Sequence, residues 1–267
     1  RKRNIIQKKF YLFLKEEIEK NNFKGGIVAT PTKTHYKISK EFIKNKIPII
    51  LEKPAAFNVI EVKKMIYLSK KYNSSVIVNH SDLFNVNLNF LLKKIKLIGK
   101  INFIEAYFGK FDSTYKDRNY LPFYDWMPHP LAILFSISNS NSFLNPIVEY
   151  NNIINKKGSF FQDITLSFKN KKVKLVRINY SNKRKKKVRK IIIQGSKGLI
   201  SYDGYNDKNN YIFIKKKIMI PKRKISPMQN VINSLYLISK NSNYYSDLNL
   251  SLKIQKILEK IKKKIKI

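Results

Sequence analysis

Cysteine is absent from the 267 residues. Disulfides, thiolate zinc sites, iron–sulfur clusters and cysteine nucleophiles are therefore excluded. Acidic residues are few, 17 against 55 Lys and Arg, which gives a formal net charge of +38 and a pI near 10.1. Within that basic excess Arg is scarce, with 7 against 48 Lys. Arg is the side chain that reads phosphates and base edges bidentately, so its shortage argues against sequence-specific nucleic-acid recognition. Glycine is limited to 8 residues (25, 26, 99, 109, 158, 195, 198 and 204). None of them builds G-x-G-x-x-G, the turn that lets a backbone approach a dinucleotide pyrophosphate. No run approaches the ~18 apolar residues of a membrane span, and no charged-then-apolar leader opens the chain. A cytoplasmic protein with no membrane partner is expected.

Hydrophobic residues make up 43% of the chain and aromatics 13%, enough for a real core and against wholesale disorder. Lys, Ile and Asn contribute 48, 39 and 29 residues. All three have A/T-rich codons, so drift in base composition accounts for the charge without a polyanionic partner. At roughly 100–200 residues per domain the length accommodates two modest domains.

The first third alternates helix and short apolar strand. Ile5 to Ile18 recur at helical spacing. Ile27-Val28-Ala29, Pro48 to Leu51 and Ser75 to Val78 read as buried parallel strands, with helices over His35 to Asn45 and Val59 to Tyr72 between them. That order predicts right-handed β-α-β units. Beyond His80 the texture changes, with a helix near Val86 to Leu97, a strand over Ile101 to Phe108 and a helix from Pro128 to Ser138. Longer alternating strands follow at 147–154, 159–168, 172–180, 188–194, 199–202, 211–214 and 218–220 and predict an antiparallel or mixed sheet. Helices over 229–239 and 247–264 close the chain. The expected fold is α/β followed by α+β, with a domain over residues 1–82 and a second over 83–267.

Three strings carry candidate chemistry, and two of the three His lie in them. Ala29-Thr30-Pro31-Thr32-Lys33-Thr34-His35 stands at the carboxyl end of the first strand, where ligands bind in open parallel sheets and a helix presents free N–H groups. A helix start capped by Thr34 accounts for the same residues. Leu51-Glu52-Lys53-Pro54 ends the second strand, where Lys53 could hold charge beside a developing alkoxide. Glu52 could equally be its ion-pair partner. In Tyr124-Asp125-Trp126-Met127-Pro128-His129-Pro130 the prolines suit a first helical turn. His129 at the positive end of that helix would be held neutral, which suits a general base. An Asp that caps and a His that packs is the alternative. No metal site is expected.

Together and in this order the strings resemble the Gfo/Idh/MocA oxidoreductases, named after glucose–fructose oxidoreductase and inositol dehydrogenase. The family's ATP-x-x-x-H is matched by Ala29 to His35, and its EKP by Glu52-Lys53-Pro54. Its GH strand end is similar to Val78-Asn79-His80, with Asn79 in place of Gly. D-x-x-x-H is matched by Asp125 to His129, and a G-(S/T)-x-G hairpin by Gly195 to Gly198. The resemblance implies a Rossmann domain joined to an open-faced sheet domain, with the active site between them. It also implies hydride transfer between NAD or NADP and a hydroxyl-bearing carbon of a sugar, sugar derivative or cyclitol. On this resemblance His129 is the acid/base, Asp125 its partner in orienting substrate, and Lys53 a contact to substrate and nicotinamide ribose. Ala29, Thr30, Pro31, His35 and Glu52 would line the cofactor crevice. A homodimer or homotetramer through the C-terminal sheet is implied as well.

The chain opens at what resembles the helix before the family's fourth strand. Two β-α units, about 60 residues of the cofactor-gripping half, are expected to be missing from it. Met127 and Pro130 also depart from the family's usual residues. A non-catalytic relative that binds or assembles is therefore the second expectation, and an anion binder recognised by charge alone the third.

Overall fold

The computed structural model describes residues 2–111, 121–138, 141–154, 160–169, 173–221, 225–241 and 244–265. The expected strand starts at Ser159 and Lys172 lie outside them. The chain divides into two compact units, 1–79 with 228–255 and 80–227 with 256–267. Sequence texture places a single cut between 82 and 83. The contacts instead return the segment 228–255 to the first unit.

The first unit begins with α1 (Lys2–Lys20), followed by β1 (Gly26–Val28), α2 (Thr32–Lys44), β2 (Ile49–Leu51), α3 (Val59–Tyr72) and β3 (Val76–Val78). The three strands pair in parallel in the order β1-β2-β3, with Ile27 opposite Ile50 and Ile50 opposite Ile77. All six residues of β2 and β3 are buried, as expected of strands covered on both faces. Near the C-terminus α7 (Pro227–Asn241) returns to this unit, and Ser246 adds a parallel bridge beside Val76. The core packs Val28, Ile38, Ile43, Val62 and Met65 with the strands and with Leu248, the first residue of α8 (Leu248–Lys264). The helix α3 is fixed at both ends. The Asn58 side chain accepts from Glu61 N, and Asn73 closes the helix in the left-handed region at φ 51°.

The second unit opens on a 3₁₀ turn (Ser81–Phe84), α4 (Val86–Lys93) and β4 (Ile101–Gly109), then α5 (Phe123–Trp126) and α6 (Pro128–Ile137). Its sheet adds β5 (Ile147–Ile154), β6 (Phe160–Phe168), β7 (Leu175–Ser181), β8 (Val188–Gly195), β9 (Gly198–Asp203), β10 (Tyr211–Ile214) and β11 (Lys217–Met219). The strand order is β11-β10-β9-β8-β4-β7-β6-β5, antiparallel except for the parallel pair β4–β7. One face carries the core: Ile104, Ala106 and Phe108, then Val176, Ile178 and Tyr180, then Ile191 and Ile193 are all buried. The period of two in the sequence follows from this one-sided burial. Pro128 to Phe135 of α6 are all buried, which fits a helix apolar on every side.

Candidate functional site

In the first unit the chemistry-bearing strings converge on the carboxyl edge of the parallel sheet. Glu52 N donates to Val28 O at 2.9 Å, and Asn79 N donates to Leu51 O at 2.8 Å, so main-chain bonds align the three strand ends. Ala29 and Pro31 are exposed and Thr30 is half-buried as the chain passes into α2. Pro31 is the cap residue of α2 and makes no side-chain capping bond. Thr34, read from sequence as a cap, sits inside the helix, where its hydroxyl donates back to Pro31 O at 2.7 Å. The first-turn N–H groups of α2 thus remain without a side-chain cap on the side where an anion would be favoured.

Two residues hold this edge together from within. His35 is 1% exposed, and its ring nitrogens lie 2.7 Å from Thr30 O and 3.0 Å from Pro54 O. It joins the loops after β1 and β2. Burial lowers its pKa, with the two carbonyls opposing. A ring enclosed in this way braces the crevice from behind the two loops. Glu52 accepts from Asn79 Nδ2 at 2.6 Å and from the Lys53 main-chain N at 3.3 Å. Lys53 is half-buried beside it, before a cis peptide to Pro54. Asn79 is 5% exposed, and its Oδ1 has no hydrogen-bond partner among the described residues. A buried acceptor without a donor, at the edge where Lys53 and Thr30 emerge, fits a ligand rich in N–H and O–H donors. A nicotinamide with its ribose is such a ligand.

The second unit builds a charged cluster around His129. Pro128 and His129 are the first two residues of α6, and the ring is 7% exposed. Phe108 stacks on it at 6.4 Å between centroids, and Trp126 meets it edge-on at the same separation. Its Nδ1 lies 2.9 Å from Asp82 Oδ2, and its Nε2 3.2 Å from an Arg189 Nη. Asp82, 2% exposed, also accepts from the Tyr202 hydroxyl at 2.9 Å and lies 3.5 Å from Arg189. Burial pushes the Asp82 carboxyl up, but the bond to His129, the charges of His129 and Arg189 and the Tyr202 hydroxyl outweigh it and hold it at about 2. Burial and the Asp82 charge push the Tyr202 phenol upward.

The carboxylate bonded to His129 is therefore that of Asp82. Asp125, which the resemblance gives a role in orienting substrate beside His129, sits four residues earlier in α5, with its main-chain N bonded to Pro122 O. Asp82, Arg189 and Tyr202 were not singled out in the sequence. Arg189 lay within a basic stretch, although it is one of only 7 Arg. Among the described residues no group of three His, Asp or Glu is placed to hold a metal, and no helix is long and apolar enough to cross a membrane. A cavity of about 520 Å³ lies at the opposite, amino-terminal edge of the parallel sheet, lined by Asn21, Asn45, Lys46, Pro48 and Ser75 among others. None of the candidate site residues lines it.

Residues 7–80 match an oxidoreductase family, Gfo/Idh/MocA, described as having an NAD-binding Rossmann fold. No curated protein matches the chain. Among solved structures, a putative oxidoreductase from Magnetospirillum magnetotacticum superposes with a TM-score of 0.81 at 17% identity, over 92% of this chain and 82% of that one. An aldose-aldose oxidoreductase from Caulobacter crescentus complexed with glycerol gives 0.77 at 12% identity, over 95% and 80%. A biliverdin reductase from Synechocystis, in complex with biliverdin and NADP+, gives 0.74 at 13%, over 94% and 82%. At these identities the likeness establishes the fold.

Proposed function

We propose, from the match of residues 7–80 to the Gfo/Idh/MocA oxidoreductase family, that the chain is a dehydrogenase that uses NAD or NADP. Its substrate would be a hydroxyl-bearing carbon of a sugar, sugar derivative or cyclitol. The observation that carries this reading is the buried His129 ring, bonded through Nδ1 to an ionised Asp82. That arrangement leaves Nε2 as the site for a substrate proton. The nicotinamide, when bound, supplies the two-electron acceptor for the hydride leaving the carbon. The hydroxyl proton passes to His129 Nε2 and a carbonyl remains. Lys53 contacts the substrate oxygen and the ribose, and its charge offsets the negative charge that develops on that oxygen. Asp125 orients the substrate. Ala29, Thr30, Pro31 and Glu52 form the cofactor edge, with His35 behind them.

An aldose-aldose oxidoreductase among the structural neighbours supports a sugar-type substrate, and a biliverdin reductase among them keeps the range of substrates wide. A homodimer or homotetramer through the eight-stranded sheet accompanies this reading, and the mass of the protein in solution tests it. The test of function is NAD(P)H absorbance across aldoses, polyols, cyclitols and nucleotide sugars. Turnover of one of them that is lost in both Lys53→Ala and His129→Ala supports the proposal. A second reading, a non-catalytic relative, is favoured by the Arg189 guanidinium lying against His129 Nε2. It expects no turnover with any of these substrates.

A further inference from the structure

The partners of His129 differ in kind. An ionised Asp82 can only accept hydrogen bonds, and a guanidinium can only donate them. With Asp82 Oδ2 at 2.9 Å from Nδ1 and Arg189 Nη at 3.2 Å from Nε2, the neutral ring must carry its proton on Nδ1 and its lone pair on Nε2. A proton on Nε2 would set N–H against N–H beside a permanent cation. The arrangement is built on both sides. Tyr202 donates to the second oxygen of Asp82 at 2.9 Å. The Arg189 arm runs past Gly204, where an added Cβ would stand 2.5 Å from Arg189 Cδ, and its guanidinium carbon lies 5.4 Å from the centre of the Tyr205 ring. Arg189 Nε is buried and has no hydrogen-bond partner among the described residues.

We propose that Asp82 and Arg189 are the positioning residues of His129. Asp82 fixes the ring as its Nδ1–H tautomer, and Arg189 caps the Nε2 lone pair, so that a substrate oxygen reaches the base only by displacing the guanidinium. The displaced Arg189 turns its N–H groups to that oxygen. The catalytic consequence rests on the function proposed above, whereas the tautomer and the cap do not. Among the described residues, Asp82 from the 3₁₀ turn and Arg189 from β8 bear on the ring. Tyr202 from β9 acts through Asp82, and Asp125 lies four residues back in α5.

Nitrogen NMR of protein labelled in its histidine rings tests this without substrate or cofactor, with His129→Asn supplying the assignment. The expected spectrum has a protonated Nδ1 and an unprotonated Nε2 for His129 near neutral pH. Asp82→Asn lowers the midpoint of the ring's titration, and Arg189→Met raises it, each by about one pH unit, a tenfold change in proton affinity. Opposite shifts are what a merely structural role would not give. If Asp82→Asn does not fold, Tyr202→Phe takes its place: without the phenol's hydrogen bond the Asp82 carboxylate holds the imidazolium more strongly, and the midpoint rises slightly. An Nε2–H tautomer in the unaltered protein, or a titration that ignores Arg189→Met, overturns the proposal. An unaltered protein that shows the expected tautomer and shifts, yet turns over no substrate, refutes the dehydrogenase reading alone.

Discussion

The carboxyl edge of the parallel sheet and the cluster around His129 are assembled by different means. At the edge the main chain sets where each side chain emerges, through strand register and the bonds Glu52 N to Val28 O and Asn79 N to Leu51 O, and the buried His35 and Glu52 side chains brace neighbouring strand ends. Around His129, side chains from a 3₁₀ turn, α6, β8 and β9 meet, separated in sequence by as much as 120 residues. A backbone-built site tolerates changes of side chain that leave the register alone. A side-chain-built one fails when a single member is removed, because buried charges are left unpaired. The edge is thus expected to lose function without losing fold, and the cluster to lose both.

Turnover is the strongest way to separate them. Lys53→Ala is expected to lower kcat/KM by about 10²–10⁴-fold with an unchanged melting temperature, since Lys53 is half-buried at the strand end. Asp82→Ala should lower turnover too, and also destabilise the protein by about 3–5 kcal/mol, the cost of breaking a buried charge pair. Thermal melts alongside the activity assay check both. Equal stability losses in the two variants would erase the distinction.

Acidity gives a second separation, because the two units hold carboxyls shifted in opposite directions. Asp82 is held at about 2, below its ordinary 3.8. Its stabilisation, on the order of 2 kcal/mol, is present above about pH 4 and is lost as pH falls toward 2. Asp247, which accepts from Val78 N at 2.8 Å, is pushed up by burial to about 7, with its backbone hydrogen bonds opposing. Its folded value lies above its unfolded one, so its contribution is full below about pH 4 and is lost as pH rises through 7. Asp247 keeps part of its exposure, and screening reduces the effect to about 1–2 kcal/mol. Amide exchange at Val78 and at Ile193 reads the two units separately. Val78 should lose protection from acid to neutral pH, and Ile193 only in strong acid. Asp247→Asn keeps the acceptor for Val78 N and should flatten the first profile. Profiles that move together would remove this comparison.

How legible each region was in the sequence follows from the same difference. The helices and strands were readable because burial on two faces gives continuous runs such as Ile49-Ile50-Leu51, and burial on one face gives alternation, as in Ile104, Ala106 and Phe108. The edge strings were readable because they are contiguous: Ala29 to His35 and Glu52 to Pro54 each lie on one strand end. The partners of His129 were not. Asp82 stands 47 positions before it and Arg189 60 after it. No periodicity links a 3₁₀ turn to a strand of another sheet position. Asp125 was readable because it stands in the same short string as His129, four residues before it. The return of residues 228–255 to the first unit was hidden for a similar reason. An amphipathic helix shows in its sequence that it has an apolar face, but not which core that face covers.

The finest separation lies in a residue with no functional group. Gly204 N donates to Arg189 O at 2.8 Å, a bond that Ala would keep. A methyl at Gly204 would stand 2.5 Å from Arg189 Cδ, 3.0 Å from its Cγ and 3.3 Å from the Tyr202 hydroxyl. Gly204→Ala must therefore shift the Arg189 arm while leaving Asp82 bonded to His129. The expected cost in stability is about 1 kcal/mol, the low end of overpacking. The titration midpoint of His129 should rise, in the direction of Arg189→Met but by less. At the edge no single methyl has an equivalent route, since the main chain places those residues. A Gly204→Ala protein whose His129 titrates unchanged would mean that the Arg189 arm gives way without leaving Nε2, and the cluster would then be as tolerant as the edge.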